Sequence, residues 1–177
     1  MATANAVSAA QTGASAVSVT VNGLGERAGN APLEEVVMAL FRITGVHTRV
    51  QTTGLSALCR QVETFSGIRL SDAKPVTGKN VFRHESGIHC AGMLKNTDTY
   101  QLFRPETIGK NGFECVIGYH SGTAAVCHAF ETYGITITPE KARSLLPVIR
   151  QIAMNQKSHL TPLQLQQIYA ADRLDAG

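Results

Sequence analysis

The hexapeptide His84-Glu85-Ser86-Gly87-Ile88-His89 gathers two imidazoles, a carboxylate and a hydroxyl. Histidine titrates near neutrality, so such a cluster is suited to proton transfer. The two histidines lack the i, i+4 spacing that puts two zinc ligands on one helix face. Ser86 near His89 hints only weakly at a nucleophile, because no Gly-x-Ser-x-Gly elbow surrounds it. A buried, hydrogen-bonded histidine pair accounts for the same residues at least as well. A second segment, Asn22 to Asn30, contains Gly23-x-Gly25-x-x-Ala28 with Glu26, Arg27 and Asn30. On paper this satisfies the dinucleotide fingerprint, but Pro32 starts the helix too late and no acidic residue lies between Glu35 and Glu63. Glu26, Arg27 and Asn30 would stand at the carboxyl end of a strand, where α/β proteins place their chemistry. Alternatively, Glu26 and Arg27 form an ion pair and Asn30 caps the helix. A third knot, Tyr119-His120-Ser121-Gly122, opens a helix with Ser121 as its N-cap. His47, His128 and His159 show no partners.

The elements that must position these residues follow from hydrophobic period. Ala2 to Ala14 is alanine-rich and reads as a helix ended near Gly13. Ser15 to Val21 alternates apolar and small polar residues and reads as a strand. After the glycine loop, Pro32 fits a first helical position, and Leu33, Val36, Val37, Leu40 and Phe41 mark one buried stripe. Leu55, Leu58, Val62 and Phe65 mark a further helix, followed by a polar connection over 67–80. A short strand is expected at Cys115 to Gly118, then a helix from Ser121 to Tyr133 with Val126 and Phe130 inward. Thr138-Pro139 and Thr161-Pro162 each read as N-cap and first helical residue, and Gln164 completes a capping box with Thr161. Pro147 interrupts the series Ala142, Leu145, Leu146, Ile149, Ile152, so a kink or two helices are expected. The fold class is α/β and mostly α.

Composition excludes several classes. The 177 residues favour one domain or one and a fraction, and 44% hydrophobic against 16% charged residues supplies a core. A net charge of +3, spread without basic runs, argues against nucleic acid or anionic lipid, and 6% aromatic content with no Trp argues against base stacking. No stretch approaches the roughly 18 apolar residues of a membrane span, and the start carries no secretory signal. Four dispersed cysteines without a Cys-x-x-Cys pair read as reduced thiols of a cytoplasmic protein.

The segments VNGLGERAGNAPLEEVV, RHESGIHCAGMLKN, TYQLFRPETIG and VIGYHSGTAAV, in this order and spacing, resemble one family over nearly the whole chain. It is the family of acyl-CoA-dependent Claisen-condensing synthases: 2-isopropylmalate, homocitrate and citramalate synthases. The resemblance implies that residues 1–46 are the last helix-strand-helix of a (β/α)8 TIM barrel and 47–177 are helical C-terminal subdomains. It implies acetyl-CoA as co-substrate, a 2-oxo acid as acceptor and a divalent metal (Mg, Mn or Zn). It also implies a homodimer, or a partner subunit bearing the barrel. His89 matches the histidine brought from the adjacent subunit to assist deprotonation of acetyl-CoA, with Tyr100 as a supporting hydroxyl. Asn30 matches a position that approaches the metal through its side-chain oxygen, and Glu26 and Arg27 would shape the same mouth.

The main metal ligands of the family, an aspartate on the first barrel strand and His-x-His on the seventh, have no counterpart here. The chain thus resembles a C-terminal portion, expected to be inactive alone. The short helical tail and the TAAV after His-Ser-Gly look most like nitrogen-fixation-type homocitrate synthases. Tyr119, where the family has Lys or Arg, and Ala91, where it often has Asp, depart from the pattern.

Overall fold

The computed structural model describes residues 1–175. The chain forms a mostly helical α/β architecture in two compact units. Residues 1–81 with 103–112 make the first, and residues 82–102 with 113 onward make the second. Among the described residues, no helix is long and apolar enough to cross a membrane.

In the first unit, α1 (Ala2–Gln11) is a run of strong helix formers that stops at Thr12, with Gly13 at φ 110° beyond it. Helix α2 (Leu33–Ala39) presents the expected stripe and then widens into a π-helical turn over Leu40–Thr44, closed by left-handed Gly45. Pro32 is its N-cap, one position earlier than expected. Ala6 and Val7 of α1 bury against Ala31, Val36 and Leu40. At about 1.5–3 kcal/mol for each large apolar side chain removed from water, this small cluster holds the two helices together.

The strand expected at Ser15–Val21 is reduced to a single parallel bridge, Thr20 with Pro32. The Thr20 amide donates to Ala31 C=O at 3.1 Å and its carbonyl accepts from Leu33 N–H at 2.8 Å. Alternation and β-propensity are present, but a ladder requires a neighbouring strand, and this unit supplies a loop instead.

Helix α3 (Leu55–Ser66) matches its expected span. Its buried side is Leu55, Ser56 and Cys59, whereas Phe65, placed on the stripe by periodicity, is 79% exposed. A buried polar tie joins α2, α3 and the 22–30 loop. Glu34 is fully buried; its Oε1 lies 2.9 Å from Lys74 Nζ and its Oε2 accepts the Asn22 amide at 3.1 Å. Asn22 Nδ2 donates to Cys59 C=O at 2.9 Å. Burying a carboxylate is costly unless it is paired and hydrogen-bonded, and Glu34 has both kinds of partner.

The second unit carries a two-stranded parallel sheet, β1 (Arg83–His84) with β2 (Glu114–Cys115), in the register Arg83↔Glu114 and His84↔Cys115. Between them in sequence lies α4 (Gly87–Lys95). The core is built by α5 (Thr123–Thr132), α6 (Pro139–Gln156) and α7 (Pro162–Asp175). Phe130, Val126, Leu145, Ile149 and Leu165 are almost wholly buried there. Val126 and Phe130 sit one turn apart on α5, and Ala142, Leu145, Leu146 and Ile149 form the matching stripe of α6.

The expected caps at Thr138 and Thr161 are present. Thr138 Oγ1 accepts Lys141 N–H at 3.2 Å; Thr161 N–H donates to Gln164 Oε1 at 2.8 Å and Thr161 Oγ1 accepts Gln164 N–H at 3.3 Å. Ser121, however, does not cap α5. Gly122 is the N-cap, and Ser121 is buried in the preceding turn. Pro147 does not divide α6, which is one helix of 18 residues. Pro147 and Arg143 both lie on the exposed side, so water can satisfy the Arg143 carbonyl that proline leaves without a donor.

Candidate functional site

Helix α4 starts on a tightly packed platform. The Glu85 carboxylate accepts the His120 amide through Oε1 at 2.9 Å, and its Oε2 lies 3.5 Å from His159 Nδ1. Ser121 Oγ accepts the Gly118 amide at 2.9 Å, while Arg150 donates to the Ser121 carbonyl at 3.2 Å. A Cβ at Gly87 would stand 2.9 Å from the Gly122 backbone, so the first turn of α4 meets the 118–122 loop at a distance only glycine permits. Glu85 is therefore a brace between the start of α4, the 118–122 loop and the 156–161 turn, not the proton partner of His84. His159, without a partner in the sequence reading, is part of that brace.

The platform directs His89 outward. His89 is exposed, and its ring meets Tyr100 with centroids 4.4 Å apart and planes at 46°. Tyr100, 45% exposed, reaches this position because residue 92 is glycine. A Cβ there would lie 2.8 Å from Tyr100 Cε2. His84 supports the pair from β1, its ring 6.3 Å from His89 at a near-perpendicular 89° and 6.5 Å from Tyr100. Phe113 closes on its other side at 6.3 Å. Burial, and then the neighbouring His89, hold the His84 imidazole below its ordinary range, and its Nε2 is buried without a hydrogen-bond partner. His84 is thus neutral at neutral pH and packs as a flat ring.

The structure brings His89 and Tyr100 together, an arrangement able to accept a proton from a carbon acid and place a hydroxyl beside it. The other candidates, Glu26, Arg27 and Asn30, belong to the first unit. All are exposed, Arg27 is in the left-handed region at φ 57°, and no Glu26–Arg27 ion pair is present among the described residues. Asn30 does not cap α2. Its amide donates to Gly23 C=O at 2.9 Å and its Nδ2 to Leu24 C=O at 3.1 Å, leaving Oδ1 as its remaining polar end. A divalent cation takes four to eight donors. Among the described residues no three His, Cys, Asp or Glu side chains gather in a way that could hold one. Asn30 offers one oxygen, so the described residues do not by themselves fit the metal.

Sequence reasoning missed two relationships in this region. The packing of His84 against Phe113, and the meeting of Cys90 with Cys115, both depend on the β1–β2 pairing. Two-residue strands leave no periodic signal from which that pairing could be found.

Two stretches of the chain match known families. Residues 1–62 match the family described as HMGL-like, and residues 76–157 match the family described as homocitrate synthase post-HMGL domain-like. 2-Isopropylmalate synthase 2 of Caldanaerobacter subterraneus subsp. tengcongensis is 47% identical over 169 residues, covering 96% of this chain and 44% of that protein. Homocitrate synthase 1 of a Nostoc species is 45% identical over 173 residues, covering 98% of this chain and 46% of the relative. A putative (R)-citramalate synthase of Methanosphaerula palustris is 44% identical over 149 residues, covering 84% and 30%. The chain spans less than half the length of these relatives.

Proposed function

The chain belongs to the family of 2-isopropylmalate and homocitrate synthases, and on that premise we propose that it is the C-terminal portion of an acyltransferase joining acetyl-CoA to a 2-oxo acid. The observation that carries the reading is the exposed His89–Tyr100 pair on a braced helix. In this reading residues 1–46 complete a TIM barrel and 47–177 form the helical subdomains. The working enzyme is a cytoplasmic homodimer, or a complex with a barrel-bearing partner subunit.

A His89 nitrogen, directly or through a water, takes a proton from the acetyl methyl of the thioester. The resulting carbon nucleophile attacks the keto carbon of the 2-oxo acid, and water then cleaves the thioester to release CoA. Tyr100 places its hydroxyl beside His89, and neutral His84 keeps a second positive charge away from the ring that receives the proton. Glu26 and Arg27 are proposed to shape the substrate mouth, and Asn30 to approach the metal through its side-chain oxygen. The main ligands of the divalent metal are proposed to lie outside this chain.

Two relatives named for different products match almost equally, at 47% and 45% identity, so identity does not choose the acceptor. The TAAV after His-Ser-Gly resembles nitrogen-fixation-type enzymes, which favours 2-oxoglutarate as acceptor, giving homocitrate. Free CoA release, measured with the full synthase containing this chain and a panel of 2-oxo acids, tests both levels. Fastest turnover with 2-oxoglutarate supports the homocitrate reading. Preference for 2-oxoisovalerate or pyruvate replaces it with isopropylmalate or citramalate formation. The 177-residue chain alone is expected to release no CoA. A non-catalytic dimerisation subunit is the competing reading, and normal CoA release by a His89→Ala enzyme would favour it.

A further inference from the structure

Two of the four thiols in the chain meet at one point. Cys90, next to His89 on α4, is fully buried, and its Sγ–H donates to the His84 carbonyl at 3.2 Å. Cys115 stands opposite His84 in the parallel register of β1 and β2. The same β1 residue therefore brings both cysteines together, and Cys115 packs against the core cluster that holds Cys90. Their exposure differs: Cys90 is sealed off, whereas Cys115 is partly accessible to solvent. The more exposed thiol thus neighbours the sealed one across His84.

We propose that Cys115 and Cys90 form a reversible oxidation site for small hydroperoxides, in which Cys115 reacts first and Cys90 closes an intrachain disulfide. The electrostatics agree with this order. The neighbouring Cys90 side chain holds the Cys115 thiol below its ordinary range, while Cys115, followed by burial, pushes Cys90 up. Burial also pushes Cys59 up, to about 11, and raises Cys127. The thiolate is the nucleophile, so Cys115 is the favoured point of attack among the four.

In the first step the Cys115 thiolate attacks one peroxide oxygen and the O–O bond breaks. Cys115 becomes a sulfenic acid and, after protonation, one water (or alcohol, from an organic peroxide) leaves. In the second step Cys90 attacks the Cys115 sulfur as its S–H proton is lost. The S–O bond breaks, the proton joins the departing hydroxide as water, and the S–S bond forms. Two thiols are oxidised and one peroxide is reduced. Forming the bond requires the two sulfurs, both gathered at His84, to close to the ~2.05 Å of a bonded pair.

The test needs no synthase activity, so it stands apart from the reaction proposed above. The native chain is treated with a few equivalents of hydrogen peroxide, quenched with N-ethylmaleimide and digested without reductant for mass spectrometry. The expected product is a Cys90–Cys115 cross-linked peptide, lighter by two hydrogens and reversed by dithiothreitol, with Cys59 alkylated only after unfolding. In Cys90→Ala, Cys115 should accumulate as sulfenic acid trapped by dimedone; in Cys115→Ala, Cys90 should stay reduced. Oxidation of Cys59 or Cys127 before Cys115, or Cys115 overoxidised beside an intact Cys90 thiol, would overturn the proposal. So would full recovery of both thiols. If Cys90→Ala fails to fold, the wild-type peptide map decides alone.

Discussion

Tyr100 lies against His89, ring centroids 4.4 Å apart, because Gly92 leaves the space that the tyrosine ring crosses. Helix propensity alone would favour alanine over glycine at this position by about 1 kcal/mol. The contact opposes propensity, since an added Cβ would stand 2.8 Å from Tyr100 Cε2. Tyr100 is 45% exposed, so the ring can swing into solvent rather than break the fold.

Gly92→Ala should therefore leave α4 folded and separate Tyr100 from His89. In the full synthase its rate of CoA release should fall toward that of Tyr100→Ala, while far-UV circular dichroism stays unchanged. His89→Ala should cost more, about 10²–10⁴-fold, the usual range for a lost general base. Wild-type rates in both Gly92→Ala and Tyr100→Ala would remove Tyr100 from the site.

The Glu34–Lys74 pair should be the most sensitive polar contact of the first unit. Glu34 is fully buried, with Lys74 Nζ 2.9 Å from it and 3.1 Å from Glu35. Lys74→Met would strand the Glu34 charge, and breaking a buried pair in this way costs roughly 3–5 kcal/mol. The double variant Glu34→Gln, Lys74→Met should recover much of that loss. Burial pulls the Lys74 ammonium down, but Glu34 and then Glu35 outweigh it and hold its pKa above the ordinary lysine value. The stability from that upward shift is complete below the unfolded lysine pKa and is lost as pH rises through the higher folded value. Urea unfolding at neutral and strongly alkaline pH would measure both effects; a loss below 1 kcal/mol in Lys74→Met would show the pair to be dispensable.

Much of the second unit was legible in the sequence, because its helices are long and their signals agree. The stripe from Ala142 to Ile149 and the Thr138 and Thr161 caps are local features, and each is formed as the spacing implies. The segment Ser15–Val21 carries an equally clear pattern, but a strand is made by its neighbour, and one bridge is all that forms. The candidate site was legible as residue types, not as relationships. Glu85 adjoins His84 in sequence, yet it bonds to the His120 amide and approaches His159, residues remote along the chain. The sequence offers Tyr100 only as a supporting hydroxyl, and the glycine three residues after His89 is what lets the two rings meet.

His84 supplies a pH test of the second unit. Burial and the adjacent His89 depress its pKa, so the folded unit binds fewer protons there than the unfolded chain does. Stability from this group is then complete above about pH 6.5, the unfolded histidine value, and is lost as pH falls from there toward the folded value. Urea midpoints between pH 8 and pH 5 should decline on the acid side, and His84→Phe should flatten that decline. An equal acid slope in the variant would assign the effect to other groups.

Pro147 offers a test of how α6 tolerates a proline within it. The helix is continuous from Pro139 to Gln156, and Ala142, Leu145, Leu146, Ile149 and Ala153 bury its inner face. An interior proline costs ~3 kcal/mol through the missing amide and the clash with the preceding turn. Arg143 lies on the exposed side of α6, so its carbonyl can turn to water, which offsets part of that cost. Replacing proline also loosens the unfolded chain, which opposes any gain by about 0.4–1 kcal/mol. The net expectation for Pro147→Ala is a more stable chain, by about 1–2 kcal/mol, because alanine restores the amide to the Arg143 carbonyl and raises local propensity. Thermal unfolding of the two chains under identical conditions measures the difference. An unchanged or lower midpoint would mean that the helix accommodates Pro147 at no net cost, with solvation of the Arg143 carbonyl fully replacing the lost hydrogen bond.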